Sequence, residues 1–152
     1  MQRTLLWILF CVCLGLQPLS AQQTYPFLLC GNERAQWNMT LERGSMLLTA
    51  ICIVRQTEEG VVGTVVNEFG LRAFDFTCKN NKVKVFNVMP MMNKWYIRKV
   101  LRSDLKVLTA DHEVKLGRKR MLDLHLPDSM TLHDKRFGIT YHFEQLVDKT
   151  TP

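Results

Sequence analysis

Histidine, serine and cysteine are the residue types in this chain that could carry catalysis, but their spacing matches no known catalytic pattern. The sequence has no Gly-x-Ser-x-Gly nucleophile elbow, no His-Glu-x-x-His zinc helix and no glycine-rich phosphate loop. The four histidines, His112, His125, His133 and His142, are 8 to 13 residues apart and form no ligand-like pair. His142 and Glu144 share a strand face, where such pairs are usually surface partners. The sequence therefore predicts a protein that is not an enzyme and holds no cofactor or metal.

Three of the five cysteines lie beyond residue 21. Their odd number leaves at least one thiol free, and their spacing matches no zinc pattern. We expect Cys52 and Cys78 to be small core residues on strands. A disulfide from Cys30 to one of them is the alternative in an oxidising compartment.

Basic residues at helical spacing are the next feature with recognisable chemistry. Between about residues 92 and 108 the apolar residues recur with a period of 3.6, which predicts one long amphipathic helix entered through Pro90. The face opposite the apolar residues carries Trp95, Arg98, Lys99, Arg102 and Lys106. We expect the first four of these to contact anionic lipid headgroups. An ordinary solvated helix face is the alternative.

Asp104 falls in the middle of the apolar face of this predicted helix. The favoured interpretation is a break, with Ser103 or Asp104 capping a new helical segment that starts at Leu105. In the other interpretation a carboxylate points into the apolar interior, where it needs a partner.

Outside the helix, apolar residues alternate with a period of two, which predicts strands. Five strands joined by tight turns occupy residues 36–88, and two or three more follow Ala110. Residues 46–54 are apolar on both faces, which indicates a central strand covered on each side. The helix is the element available to cover a concave sheet. The predicted fold is mainly β (α+β): a curved antiparallel sheet forming an open half-barrel wrapped around one long amphipathic helix.

The strand faces carry more apolar residues than one helix can cover, which predicts a ligand cavity between helix and sheet. The predicted lining residues are Leu48, Ile51, Ile53, Phe74, Phe76, Phe86, Ile97, Leu101, Leu105, Tyr141 and Phe143. Met89, Met91 and Met92 flank Pro90, and flexible thioether side chains suit a pocket for ligands of variable shape. Gap-filling in an ordinary loop is the alternative explanation for these methionines.

Residues 1–21 have the features of a secretory signal peptide. Arg3 supplies positive charge, residues 5–16 form an apolar stretch too short to span a bilayer, and Pro18 precedes the small residue Ala21. We expect cleavage after Ala21, which leaves residues 22–152 as a single periplasmic domain; attachment by a lipid anchor is the alternative. Export and a net charge of +6 favour anionic surfaces over nucleic acid as partners.

A stretch of the chain also has a familiar order of elements. Residues 63–76 combine a strand, a turn with a polar-Phe-Gly pattern and a second aromatic strand, and Trp95 and residues 102–105 follow on the helix. This order resembles the LolA/LolB-like periplasmic lipoprotein-carrier superfamily over roughly residues 36–108. The resemblance implies an open, incomplete β-barrel with an apolar cavity that takes up acyl chains. The chain is shorter than those proteins and has no cysteine-based lipid-attachment sequence, which favours a soluble carrier over an anchored receptor.

Together these features predict a monomeric, non-enzymatic cell-envelope protein that binds an apolar ligand. The expected ligand is lipid or the acyl chains of a lipoprotein, with peripheral contact to anionic membrane and no binding of nucleic acid. A protein-interaction module of the cell envelope with a filled core is the main alternative. A small hydrolase is less favoured, because the sequence contains no identifiable nucleophile.

Overall fold

The computed structural model describes residues 27–29, 33–110 and 116–146, and within these residues eight strands form one antiparallel sheet that carries one α-helix. The strands are β1 (Arg34–Arg43), β2 (Met46–Thr57), β3 (Gly60–Asn67), β4 (Arg72–Lys79), β5 (Lys82–Phe86), β6 (Arg120–His125), β7 (Ser129–Asp134) and β8 (Ile139–Gln145). The helix α1 spans Trp95–Leu108, and 3-10 turns occur at Phe27–Leu29 and Pro90–Met92. The mainly-β class and the single helix are confirmed for this part of the chain.

Several predictions made from the sequence lie outside the described residues. They are the signal peptide at residues 1–21, Cys30 and His112. In the part of the chain that the structure describes, no helix combines the length and apolar character needed to cross a bilayer.

The strand order is β5-β4-β3-β2-β1-β8-β7-β6, and the two edge strands do not pair with each other. Strands β1 to β5 form a meander whose tight turns follow from local sequence. The β4–β5 turn, for example, places Asn80 and Asn81 at φ 50 and 62, the backbone that a two-residue type I′ hairpin requires and that asparagine tolerates. After β5 the chain passes through α1 to the opposite edge, where β6, β7 and β8 return to pair with β1.

The contacts of α1 show that the sheet is curved. The helix reaches both edges of the sheet from positions that are a short distance apart. Arg98 donates a hydrogen bond to the Val85 carbonyl oxygen on β5 at 3.3 Å, and Asp104 accepts one from Arg120 on β6 at 2.7 Å. These two helix positions are about 9 Å apart along the axis. A flat eight-stranded sheet would separate its edge strands by about 34 Å, more than the helix and two arginine side chains can span. The contacts therefore require the edges to bend toward α1.

One face of the sheet carries the core. Trp37 is fully buried on this face, packs edge-on against Phe143 at 6.2 Å between ring centroids, and donates a hydrogen bond to the Leu28 carbonyl oxygen at 2.8 Å. That bond fixes the 3-10 turn Phe27–Leu29 on the sheet. On β3, the Phe76 ring occupies the space where a side chain at Gly63 would lie, so glycine at this position lets the ring lie against the sheet.

The prediction that residues 46–54 are covered on both sides is wrong. Ala50, Cys52 and Val54 face the core and are buried, whereas Ile51 on the opposite face is 40% exposed. The strand is central, because β1 and β3 pair with its two sides. Burial of its second face would need another layer, and the described residues do not supply one.

The predicted helix break at Asp104 is also wrong. Helix α1 runs without interruption through Ser103 and Asp104 to Leu108. The apolar face that the 3.6 period predicts is buried from Val100 onward, and Asp104 is buried with it. The second interpretation, a carboxylate in the interior that needs a partner, describes this residue.

Candidate functional site

A cavity of about 460 Å³ lies between the first half of α1 and the core face of the sheet. Its helical wall is formed by Tyr96, Ile97, Val100 and Leu101. These residues fall on one side of α1 because they are spaced three to four positions apart. The sequence period that predicted an amphipathic helix therefore also positions this wall.

The opposite wall comes from the sheet. Leu41 on β1, Leu48 on β2 and Tyr141 on β8 are neighbours in register, and all three line the cavity. Ala73 on β4 contributes a small side chain to the same wall. Apart from the four polar lining residues Arg43, Asn67, Tyr96 and Tyr141, the cavity is lined by apolar side chains.

Large exposed apolar residues surround the mouth of the cavity. Met46 is 56% exposed, Phe69 78%, Met91 75% and Phe137 41%, and each of them lines the cavity. They come from three turns and from the start of β2. Because these residues line one opening, they form an apolar cluster at the cavity mouth, unlike the isolated apolar side chains found on most surfaces.

The methionines beside Pro90 belong to the same site. Met89, Met91 and Met92 all line the cavity, and the 3-10 turn Pro90–Met92 carries two of them directly into α1. The backbone N–H of Met89 donates to the Ala73 carbonyl oxygen at 2.8 Å, which ties this segment to β4. The three thioether side chains therefore form part of the cavity wall.

The eleven residues predicted to line the cavity separate into three groups. Leu48, Ile97, Leu101 and Tyr141 line it. A second group shares the core face but packs within the closed core instead, and consists of Phe74, Phe76, Leu105 and Phe143. The predicted cavity role of Ile51, Ile53 and Phe86 is wrong, because strand alternation and register turn these three to the opposite face.

That opposite face has a more open depression of about 510 Å³. Ile53 and Phe86 line it together with Arg34, Arg55 and Asp75. The Asp75 carboxylate accepts hydrogen bonds from the side chains of Thr64 at 2.8 Å and Asn87 at 2.7 Å. The depression is therefore a mixed polar and apolar surface, distinct from the apolar cavity on the core face.

Sequence reasoning missed three of the four mouth residues. Met46, Phe69 and Phe137 lie in or beside turns, where hydrophobic periodicity carries no information about direction. A usable signal existed at Phe69 and Phe137, since each immediately precedes a glycine, Gly70 or Gly138, with positive φ. Large aromatic side chains at such exposed turns are unusual unless they contact a ligand or another molecule.

A buried ionic cluster adjoins the cavity through Tyr141. The Tyr141 hydroxyl donates to Asp104 at 2.9 Å, and Arg120 donates to Asp104 at 2.7 Å and to Asp134 at 3.3 Å. Arg136 donates to Asp134 at 2.6 Å. Both carboxylates are fully buried, and the cluster joins α1 to β6, β7 and β8. It fixes the helix that forms one cavity wall.

The two aspartates of this cluster differ in acidity. Burial, followed by hydrogen bonding with the neighbouring Asp134 carboxyl, raises the pKa of Asp104 to about 6, although Tyr141 and Arg120 act in the opposite direction. Burial also disfavours ionisation of Asp134, but hydrogen bonds from Arg136 and Asp104 and the charge of Arg120 together outweigh it and hold the pKa of that carboxyl well below its usual range. Below pH 6 the cluster therefore keeps one carboxylate and one carboxylic acid.

The four residues predicted to contact a membrane differ in their exposure to solvent. Trp95 is 76% exposed, and Lys99 and Arg102 are exposed on the same side of α1. Arg98 is half-buried and donates to the Val85 carbonyl oxygen. Its assignment to the solvent-facing group is corrected: the residue fastens α1 to the edge strand β5.

The remaining side chains that could take part in catalysis or metal binding lie away from the cavity or are unreactive. His133 and His142 hydrogen-bond to Thr140 and Thr131 within the sheet, at 2.7 and 2.8 Å. Cys52 is a buried free thiol whose pKa burial raises to about 12, so it stays protonated. Within the described residues, no three His, Cys, Asp or Glu side chains are grouped in a way that could hold a metal ion.

Comparison with known proteins gives no family for this chain. No protein-family model matches the sequence, and no curated protein matches it.

Proposed function

We propose that this protein binds an apolar ligand, lipid or the acyl chains of a lipoprotein, in the cavity between α1 and the sheet, and acts as a non-enzymatic carrier in the cell envelope. The observation that carries the proposal is the apolar cavity of about 460 Å³, which falls within the size range of small-molecule sites. The features of a signal peptide in residues 1–21 support the location.

The energetics favour occupation by an apolar chain. Protein cores are close-packed and contain few voids larger than a water molecule, so apolar walls around an open cavity leave contacts unmade. Burial of a methylene group is worth about 0.8 kcal/mol, and about ten buried methylenes would supply about 8 kcal/mol before the costs of association. A protein-interaction module with a filled core, the alternative, does not account for this space.

The open, curved sheet supports a half-barrel related to the LolA/LolB-like carriers as the proposed fold type. In such an arrangement the ligand enters between the helix and the sheet. The methionine-rich segment at residues 89–92 and the aromatic residues of the cavity mouth, Phe69 and Phe137, supply adaptable contacts at the entrance. A carrier needs such contacts because it must bind and release its ligand through the same opening.

The second part of the proposal is peripheral contact with anionic membrane through Trp95, Lys99 and Arg102. Their spacing of four and three residues places them on one exposed side of α1. An exposed tryptophan next to basic residues suits the interface between headgroups and water. This contact would hold the neighbouring cavity mouth near its source of ligand.

The cavity proposal is tested by filling the space from the helix. Ile97 lines the cavity and is half-buried, so Ile97→Trp should block an acyl chain and weaken binding of a fluorescent fatty acid at least about tenfold. Lys106→Trp places the same side chain on the exposed side of the same helix, away from the cavity lining, and should leave binding unchanged. Far-UV circular dichroism checks that both variants fold. Equal binding by the parent and Ile97→Trp would refute the cavity as the site.

A further inference from the structure

Polar groups at the cavity indicate what kind of head an apolar ligand carries. Four polar side chains line the cavity, Arg43, Asn67, Tyr96 and Tyr141, and none of the lining residues is acidic. Two of the four, Tyr141 and Asn67, are already engaged. The Tyr141 hydroxyl donates to Asp104 at 2.9 Å, and the Asn67 side-chain oxygen accepts from the backbone N–H groups of Phe69 and Leu71 at 3.1 and 2.9 Å.

Arg43 is the one cationic residue among the lining residues, and its position at the mouth follows from strand register. It is the last residue of β1, opposite Met46 on β2 and Ile139 on β8, and both partners line the cavity with it. Its neighbour Glu42 points to the other face of the sheet by strand alternation. Among the described residues Arg43 makes no ion pair, and the buried carboxylates of Asp104 and Asp134 are paired with Arg120 and Arg136 instead.

We propose that Arg43 receives the anionic head of a single-chain amphiphile whose apolar chain fills the cavity. A guanidinium presents a planar fork of N–H donors that matches the oxygen atoms of a carboxylate or a phosphate. The ligand class is therefore a long-chain fatty acid or an alkyl phosphate, as distinct from a neutral ester. The inference rests on the proposed function, because it assigns the head of a ligand whose chain occupies the proposed site.

An alternative role for Arg43 is structural, with its aliphatic stem covering apolar surface while the charge stays in water. The two roles differ in what they predict for ligands. A structural arginine affects acids and neutral esters of equal chain length alike. An arginine that binds the head discriminates between them, and the discrimination weakens with added salt because the group is exposed.

The test compares three ligands of one chain length, palmitate, hexadecyl phosphate and monopalmitoyl glycerol, each below its critical micelle concentration. Each competes with a fluorescent fatty acid for the parent, for Arg43→Gln and for Arg118→Gln, an exposed turn arginine that does not line the cavity. Arg43→Gln should weaken binding of the acid that the parent binds more tightly about fivefold to tenfold, and should change binding of the neutral ester less than about twofold. Arg118→Gln should change neither.

The ratio of affinities for acid and neutral ester decides the outcome. If Arg43→Gln leaves this ratio as in the parent, the head-group role is overturned while the cavity function stands. If none of the three ligands binds the parent, both the proposed function and this inference fail. A preference of the parent for palmitate over hexadecyl phosphate, or the reverse, that Arg43→Gln removes supports the inference and identifies which acid is the source.

Discussion

Replacement of Arg120 by methionine tests whether the buried ionic cluster fixes α1 to the sheet. Arg120 donates to Asp104 at 2.7 Å and to Asp134 at 3.3 Å, and its side chain is only 13% exposed. Methionine occupies similar space without charge. Asp134 keeps its pairing with Arg136 at 2.6 Å, so the main consequence is a buried Asp104 carboxylate left with Tyr141 as its hydrogen-bond donor and with Arg136, at 3.8 Å, as its ion-pair partner.

Removal of one partner of a buried ion pair costs about 3–5 kcal/mol, a large share of the 5–15 kcal/mol that stabilises a typical domain. The cost depends on pH because the pKa of Asp104 is already raised to about 6. A carboxyl whose pKa is higher in the folded than in the unfolded protein makes the folded protein more stable as pH falls. Loss of Arg120 raises that pKa further, so we expect the cost at pH 5 to be about 2 kcal/mol smaller than at pH 7.5.

The assay is urea unfolding followed by circular dichroism at pH 7.5 and pH 5. Arg118→Met is the matched control, because Arg118 is an exposed turn residue whose replacement should change stability by less than about 0.5 kcal/mol. When both proteins carry Asp104→Asn, the cost of Arg120→Met should no longer depend on pH, since the titrating group is gone. A cost of Arg120→Met below about 1 kcal/mol at pH 7.5, or one equal at both pH values, would refute the reasoning.

Further predictions concern the backbone at one turn and the charges of α1. Gly60 has φ +112 and a side chain there would clash with the backbone of β4, whereas Gly44 has φ +59 and open space. By urea unfolding, Gly60→Ala should therefore destabilise clearly more than Gly44→Ala, which should cost about 1 kcal/mol; equal costs would contradict this. The double change Lys99→Glu and Arg102→Glu should leave unfolding nearly unchanged and reduce sedimentation with anionic vesicles at low salt, which undiminished vesicle binding would contradict. Arg98→Glu should by contrast destabilise the fold, because Arg98 bonds the edge strand β5, and a neutral effect on unfolding would show that this bond is dispensable.

Strands, turns and helix could be predicted because their signals are local. A period of two identifies strands wherever one face is buried. The Asn80-Asn81 turn and Gly60 mark hairpins by the φ values they tolerate. The 3.6 period likewise placed Val100, Leu101 and Leu105 on the buried side of α1.

The choice of buried face on β2 could not be predicted from its own residues. Residues 46–54 carry apolar side chains on both faces, and what turns Cys52 inward and Ile51 outward is pairing with β1 and β3. An exposed isoleucine carries only a modest cost, since much of any protein surface is apolar. Without that constraint, local pattern assigned Ile51, Ile53 and Phe86 to the wrong side.

The ionic cluster and the cavity mouth were hidden for a different reason. The partners of Asp104 are 16 residues away at Arg120 and 37 residues away at Tyr141, and they meet only because β6, β7 and β8 fold back to β1. The mouth residues Phe69 and Phe137 converge from separate turns. Both features depend on long-range topology, which hydrophobic periodicity does not contain.

The proposed function requires an apolar ligand in the cavity, and native mass spectrometry of protein prepared without detergent detects such a ligand most directly. We expect the parent to carry an additional mass that corresponds to an acyl-chain compound, or to take up palmitate when it is offered. Ile97→Trp, whose side chain fills the cavity, should carry no such mass. A parent protein that is bare as isolated and remains bare in the presence of palmitate would contradict the central claim.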